Sequence, residues 1–196
     1  MKIFASRRTD AVKIIPVKKI GFKKWMDAQP VYVKRWIKTV GFDGAAGNTC
    51  LIPNNDGSLG KVLWGVSDIP NIWDSGSLAR DLPHGTYTFE GFNDAKTSTL
   101  AALGWGLGAY RFDKYKNPLT LKTRLQWPSA CDRKIVEQTL EAIFLVRDLI
   151  NTPAEDMGPS ELEKAARILA KKYQAKIKVI KGKQLLTKNY PAIHAI

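Results

Sequence analysis

Asp148, Glu155 and Asp156 form a cluster of carboxylates that could do chemistry. Paired carboxylates can hold a magnesium ion or share a proton. These three flank a helix stop and a helix restart, where negative groups and acceptors are favoured beside free backbone N–H groups, so a structural role is preferred. His84 sits between Pro83 and Gly85, and the only other histidine is His194, so neither has a partner at metal-ligand spacing. Cys50 and Cys131 belong to no CxxC and have no histidine nearby, which suits reduced structural thiols. Serine, histidine and aspartate all occur, but no GxSxG supports a nucleophile elbow. The loop Gly41 to Gly47, with FDGAAGN, invites a phosphate cradle, yet it lacks GxxxxGK[ST] and runs into a strand instead of a helix. GWGLG lies inside an apolar helical pattern, which argues against a nucleotide loop. No catalytic, cofactor-binding or metal-ligating residue is therefore assigned in this chain.

The elements that would position any such residues centre on Arg147 to Pro159. Asn151 can end a helix in the left-handed conformation and Pro153 cannot continue one, so Ile150 is expected as the last helical residue. Gly158-Pro159 allows a restart, and Ser160-Glu161-Leu162-Glu163 has capping-box spacing. Upstream, a strand is expected at Val12 to Val17 and a helical stretch from Lys18 to Gln29. After Pro30 a helix over Val31 to Val40 turns Val33, Trp36, Ile37 and Val40 inward, with Phe22, Trp25 and Trp36 packing together. Asn48 to Pro53 and Lys61 to Val66 read as a hairpin turned by Asn54-Asn55-Asp56-Gly57. A helical turn spans Ser75 to Leu82, and a strand spans Gly85 to Glu90. Thr97 to Phe112 reads as a helix although Gly104, Gly106 and Gly108 each cost about 1 kcal/mol relative to alanine; close packing on a neighbouring sheet is the expected compensation. RFDKYK ends that helix before Pro118, Lys122 to Trp127 forms a strand, and a helix runs from Asp132 to Ile150. Its stretch Ala142 to Val146 is apolar all round, which implies burial on several sides. Beyond the seam, Leu162, Ala165, Ala166, Leu169 and Tyr173 share one helical face. A strand with Ile177 and Val179, a short helix at Gln184 to Lys188 and a strand at Pro191 to Ile196 would open a doubly wound α/β sheet. Two strands with nothing behind them make a marginal unit, so the chain reads as cut short.

The chain has 196 residues with 44% hydrophobic content, enough for a globular core. It contains no run of eighteen apolar residues, and MKIFASRRTD lacks a signal-peptide apolar stretch, which sets the cytoplasm as the expected location without a membrane partner. Charge is uneven. Residues 1 to 40 hold eleven Lys or Arg against Asp10 and Asp27, which is nine of the thirteen net positive charges. Such a patch can attract nucleic acid, but it lacks the basic and aromatic interleaving of a strand-binding platform, so a solvated basic surface is preferred.

RDLINTPAEDMGPSELEKAARILA, then IKVIKG and NYPAIHAI, over Arg147 to Ile196, resembles the start of the catalytic domain in the leucyl aminopeptidase, or M17 cytosol aminopeptidase, family. TLAALGWGLGAYRFDKYK, at Thr99 to Lys116, is similar to a segment of that family's N-terminal domain. The resemblance covers most of the chain beyond about Gly41. It implies an α/β fold: a macro-like α/β domain over residues 1–130, a linker helix and seam over 131–153, and the first, incomplete elements of the peptidase domain over 154–196. It also implies a parent activity, removal of N-terminal residues from peptides with two divalent metal ions, zinc or manganese, that activate a water and polarise the scissile carbonyl. In the family the ligands are a lysine, several aspartates and a glutamate from later in the catalytic domain, including Asn-Thr-Asp-Ala-Glu-Gly-Arg. That motif is absent, and Asn151-Thr152-Pro153 is a different element, so no metal ligand is carried over and this chain alone is expected to be inactive. Family members are typically hexamers, which implies a homo-oligomer with peptide substrates for the full-length protein. Two alternatives remain: a non-catalytic assembly or interaction module, and a nucleic-acid-binding module using residues 1 to 40. The macro-type likeness also raises ADP-ribose binding, but fold analogy supplies no site.

Overall fold

In a computed structural model that describes residues 3–5, 10–116 and 122–195, the chain divides into two compact units, Met1–Leu145 and Val146–Ile196. Pro118, Ile196 and the basic residues Lys2, Arg7 and Arg8 lie outside the described residues.

The first unit is built on β1 (Phe4–Ala5), β2 (Val12–Lys18), β3 (Thr49–Pro53), β4 (Leu59–Val66), β5 (Gly85–Phe89) and β6 (Thr123–Gln126). They form one sheet in the order β1-β6-β5-β2-β4-β3, parallel at every pairing except the β3–β4 hairpin. The hairpin turn is the one expected: Gly57 takes φ +82°, and the Asp56 carboxylate accepts from the Ser58 N–H at 2.9 Å and from its hydroxyl. Side chains alternate across the pleat and serve two cores. Ile14, Val62, Trp64, Tyr87, Phe89 and Leu125 point into one, with the helices α3 (Leu78–Asp81) and α4 (Ala95–Gly108) and with Val136 and Leu140 of α5 (Arg133–Asn151). Val17, Cys50, Ile52 and Leu63 point into the other, beneath α1 (Phe22–Asp27) and α2 (Val31–Val40).

Several expected details shift. In α2 only Val33 and Ile37 are buried, because residues four apart define a narrow stripe. Trp36 is turned away from that stripe, Val40 is the last residue of the helix, and both are exposed; the Trp36 indole N–H donates to the Leu51 carbonyl at 2.8 Å instead of joining Phe22 and Trp25, whose rings stack on each other. Helix α4 starts two residues before Thr97, because the Asp94 carboxylate caps the Thr97 N–H at 2.8 Å. It ends at Gly108, where Tyr110 leaves to pack on Phe144, ring centroids 5.1 Å apart.

The three α4 glycines are packed closely, but not on the sheet. A methyl group at Gly104 would meet the Ile72 carbonyl and Ser75 Oγ, one at Gly106 the Leu140 side chain, and one at Gly108 the Gly76 carbonyl. The helix therefore rests on the 72–76 turn and on α5. The Ser75 hydroxyl ties that turn to α4 by donating to the Ala101 carbonyl at 2.9 Å.

Helix α5 runs one residue past Ile150, and Asn151 does not take a positive φ. The stop is made instead by Pro153 and by Thr152, whose hydroxyl and N–H both donate to the Asp148 carbonyl at 2.7 and 3.1 Å. The apolar stretch of α5 is not buried all round: Ala142 and Val146 are exposed, and Ile143, Phe144 and Leu145 are half-buried.

In the second unit, α6 (Pro159–Lys172) is capped by Gly158 in an extended conformation, with Pro159 in its first turn. Ser160 therefore falls inside the helix, not at its cap, and Glu163 pairs with Arg167 and Lys181 instead of closing a capping box. Residues 176–181 form no strand, since a lone segment with no neighbouring strand has no ladder to join. The short helix arrives as α7 (Gln184–Thr187). The expected strand from Pro191 is a helix, α8 (Pro191–His194), which proline starts without strain and which the His194 N–H closes by donating to the Tyr190 carbonyl.

Candidate functional site

Strands β2 and β5 lie side by side and parallel, but their onward connections diverge: β2 leads through α1 and α2 to the β3–β4 side, and β5 leads through α4 to β6. In open α/β sheets this divergence opens a crevice beyond the carboxyl ends of the strands, the usual place for a ligand. A cavity of about 150 Å³ occupies it. Pro16 and Lys18 come from β2, Trp64 and Val66 from β4, Pro70, Asn71 and Asp74 from the following loop, and Phe92, Thr97, Leu100 and Ala101 from the β5–α4 side.

The walls are held firmly. The Trp64 indole N–H donates to the Asp74 carbonyl at 3.1 Å, and its ring meets Phe92 edge-on at 6.2 Å and Phe89 at 5.4 Å. In the Asp74 carboxylate, Oδ1 accepts from the Ser67 hydroxyl at 2.7 Å and from the Asn71 amide at 2.9 Å, while Oδ2 accepts the Asn71 backbone N–H at 3.2 Å. These bonds fasten the 67–74 loop as one rigid piece. The Lys18 ammonium is exposed and donates to the Asp68 carbonyl at 2.9 Å, so the charged groups lining the cavity are one cation and one anion. Chemically, the crevice offers an apolar, aromatic-walled hole with opposite charges beside it.

The groups singled out in the sequence do other work. Among the described residues, no three His, Cys, Asp or Glu side chains converge as a metal site, so Asp148, Glu155 and Asp156 are not brought together as one, and no metal-assisted step is derived from this chain's residues. His84 and His194 are exposed and sit in different units. The glycine-rich loop serves the sheet: the Gly47 N–H donates to the Gly65 carbonyl and the Gly65 N–H to the Asn48 carbonyl, and a side chain at Gly65 would collide with the Ala45 backbone. Asp43 in that loop accepts the Ala45 N–H, which with Lys19 holds its carboxyl below the ordinary range. In the basic N-terminal region, Lys13 pairs with Glu90 and Lys19 with Asp43, while Lys18 and Lys34 donate to backbone carbonyls. Two of the eleven basic residues there are thus paired with carboxylates. No motif marks the crevice in the sequence: its loop, SDIPNIWD, signals itself only through Asn71 and Asp74 spaced for an Asx-type turn around Trp73.

Among the described residues, no helix is long and apolar enough to cross a membrane. The family profile described as "M17 aminopeptidase, N-terminal domain" matches residues 12–128, and "Cytosol aminopeptidase family, catalytic domain" matches residues 144–196. Peptidase B of Enterobacter sp. is 33% identical over 108 residues, covering 52% of this chain and 25% of its own length. A probable cytosol aminopeptidase of Wolinella succinogenes is 27% identical over 167 residues, covering 72% of this chain and 33% of its own. The crystal structure of a cytosol aminopeptidase from Coxiella burnetii superposes with a TM-score of 0.84 at 41% identity, covering 93% of this chain and 40% of that one. The bottromycin maturation enzyme BotP, solved in complex with Mn, shares the fold at a TM-score of 0.68 and 21% identity, over 91% of this chain and 40% of its own. The chain covers about a quarter of the length of Peptidase B of Enterobacter sp. and about a third of that of the Wolinella succinogenes protein.

Proposed function

We propose, because this chain belongs to the M17 aminopeptidase family, that it supplies the N-terminal domain, the linker helix and the opening of the catalytic domain of a metal-dependent exopeptidase acting on peptide N-termini. The observation that carries this is the order of the two family matches, N-terminal domain then catalytic domain, along one chain that superposes over 93% of its length on a cytosol aminopeptidase. Metal binding and catalysis belong, in this proposal, to residues outside the chain. The second unit supports it: on one face of α6, Leu162, Leu169 and Tyr173 are exposed, an apolar surface that further strands of an α/β domain would bury. Domain limits of 1–130, 131–153 and 154–196, a cytoplasmic location and a hexameric assembly are parts of the same proposal.

The test is hydrolysis of Leu-p-nitroanilide by the purified 196-residue chain with added zinc or manganese. The expected result is no turnover above buffer. Robust hydrolysis that EDTA abolishes would place the catalytic residues inside this chain and overturn the division of labour.

A further inference from the structure

We infer that the crevice at the carboxyl edge of the sheet is a binding site for a free apolar L-amino acid, with its side chain in the cavity and its charged ends on Lys18 and Asp74.

Size sets the first limit. A cavity of about 150 Å³ holds a benzene-sized group, so a leucine or phenylalanine side chain fits and a nucleoside does not. The lining sets the second. Trp64, Val66, Phe92 and Leu100 present an apolar surface, and an aliphatic or aromatic group gains free energy in proportion to the area it removes from water there.

Charge sets the third limit. Lys18 contributes an ammonium on an exposed, flexible stem whose present partner is one backbone carbonyl. That weak neutral bond is readily exchanged for a carboxylate, because charge-assisted hydrogen bonds are stronger. Asp74 is fixed in place by three donors, and its Oδ2 accepts only one of them, at 3.2 Å. A lone pair is left there for an ammonium group. One fixed anion, one movable cation and an apolar hole between rigid walls are the complement of a zwitterion with an apolar side chain. A purely anionic or purely cationic ligand would leave one of the two charges facing its own sign or nothing. The inference stands on this geometry alone and does not depend on the peptidase reading, although free amino acids of this class are what an exopeptidase releases.

The experiment is an amide and indole N–H NMR titration of the full 196-residue chain with L-leucine and with L-phenylalanine. Saturable shifts are expected at the Trp64 indole N–H, Asn71 and Thr97, with a Kd on the order of 1 mM, as suits a ligand of so few atoms. Lys18→Met, at an exposed position, should weaken binding about tenfold, and Leu100→Trp, which fills the hole from the rim of α4, should abolish it. Phenylacetate and phenethylamine, each lacking one charge, should bind at least about fivefold more weakly than phenylalanine. Absence of saturable shifts in the parent chain, shifts that survive in a folded Leu100→Trp, or either single-charge probe binding as tightly as phenylalanine would each overturn the inference.

Discussion

The glycines of α4 allow the packing of the first unit to be tested atom by atom. Alanine at an exposed helical glycine stabilises by about 1 kcal/mol. At Gly108 the added methyl would collide with the carbonyl and backbone of Gly76, which cannot rotate aside as a side chain can. Overpacking of that kind costs about 1–3 kcal/mol, with the upper end expected against backbone, so Gly108→Ala should be destabilised by about 1–2 kcal/mol net of propensity. For a chain of this length that is a fall in Tm of about 2–8 °C. Gly106→Ala differs in kind, because its methyl would meet the terminal carbons of Leu140, which is fully buried and has little room to retreat. Leu140→Ala alone should cost about 2–5 kcal/mol through the cavity it leaves. In the double variant the new methyl enters that cavity, so the two losses should sum to about 1 kcal/mol less than the separate values. Urea unfolding followed by tryptophan fluorescence measures all four corners of the cycle. A stabilised Gly108→Ala, or additivity of the other pair within about 0.5 kcal/mol, would show that close approach of α4 to the 72–76 turn and to α5 is not what offsets the glycines.

Burial raises the Cys50 thiol from 9.0 to about 11, so the native chain at pH 8 holds about a hundredfold less Cys50 thiolate than the denatured chain; iodoacetamide labelling read by mass spectrometry should slow by at least that factor, and equal native and denatured rates would contradict the burial. The carboxyl groups of Asp56, Asp94 and Glu163 are lowered mainly by the hydrogen bonds they accept, from Ser58, from Thr97 and from Arg167. The folded chain thus keeps them ionised where the unfolded chain has bound protons, so their stabilisation is complete above the ordinary values of 3.8 for aspartate and 4.5 for glutamate and is lost as pH falls through the lowered ones. An NMR titration midpoint for Asp94 at or above 3.8 would contradict its capping of α4.

Most of the first unit was legible because its signals are local. The 54–57 turn, the alternation in β5 and the apolar run of α4 each specify their own element, whereas the strand order joins segments far apart in the chain. What stayed hidden depends on partners distant in the chain. The compensation for the α4 glycines comes from Ile72, Gly76 and Leu140, none of which is marked by periodicity. The seam was legible as a stop but not in its means, since Thr152 bonding back to Asp148 competes with the left-handed asparagine that the wording suggests. Strands expected after Lys176 failed for a related reason: alternation declares a willingness to pair, whereas a strand exists only beside another.

The crevice shows the same logic acting on a site. Lys18 and Asp74 are 56 positions apart, separated by two helices and a hairpin, and neither belongs to a motif. Their approach is dictated by register: Lys18 pairs with Val66 at the last rung of β2 and β4, so the two chains leave the sheet together and their next residues must share one edge. Given that rung, the 67–74 loop has only eight residues in which to turn back toward α4, and Asp74 uses Ser67 and Asn71 to fix the turn. Chemistry placed by a register is invisible to motif reading, and it becomes readable once the strand order is known.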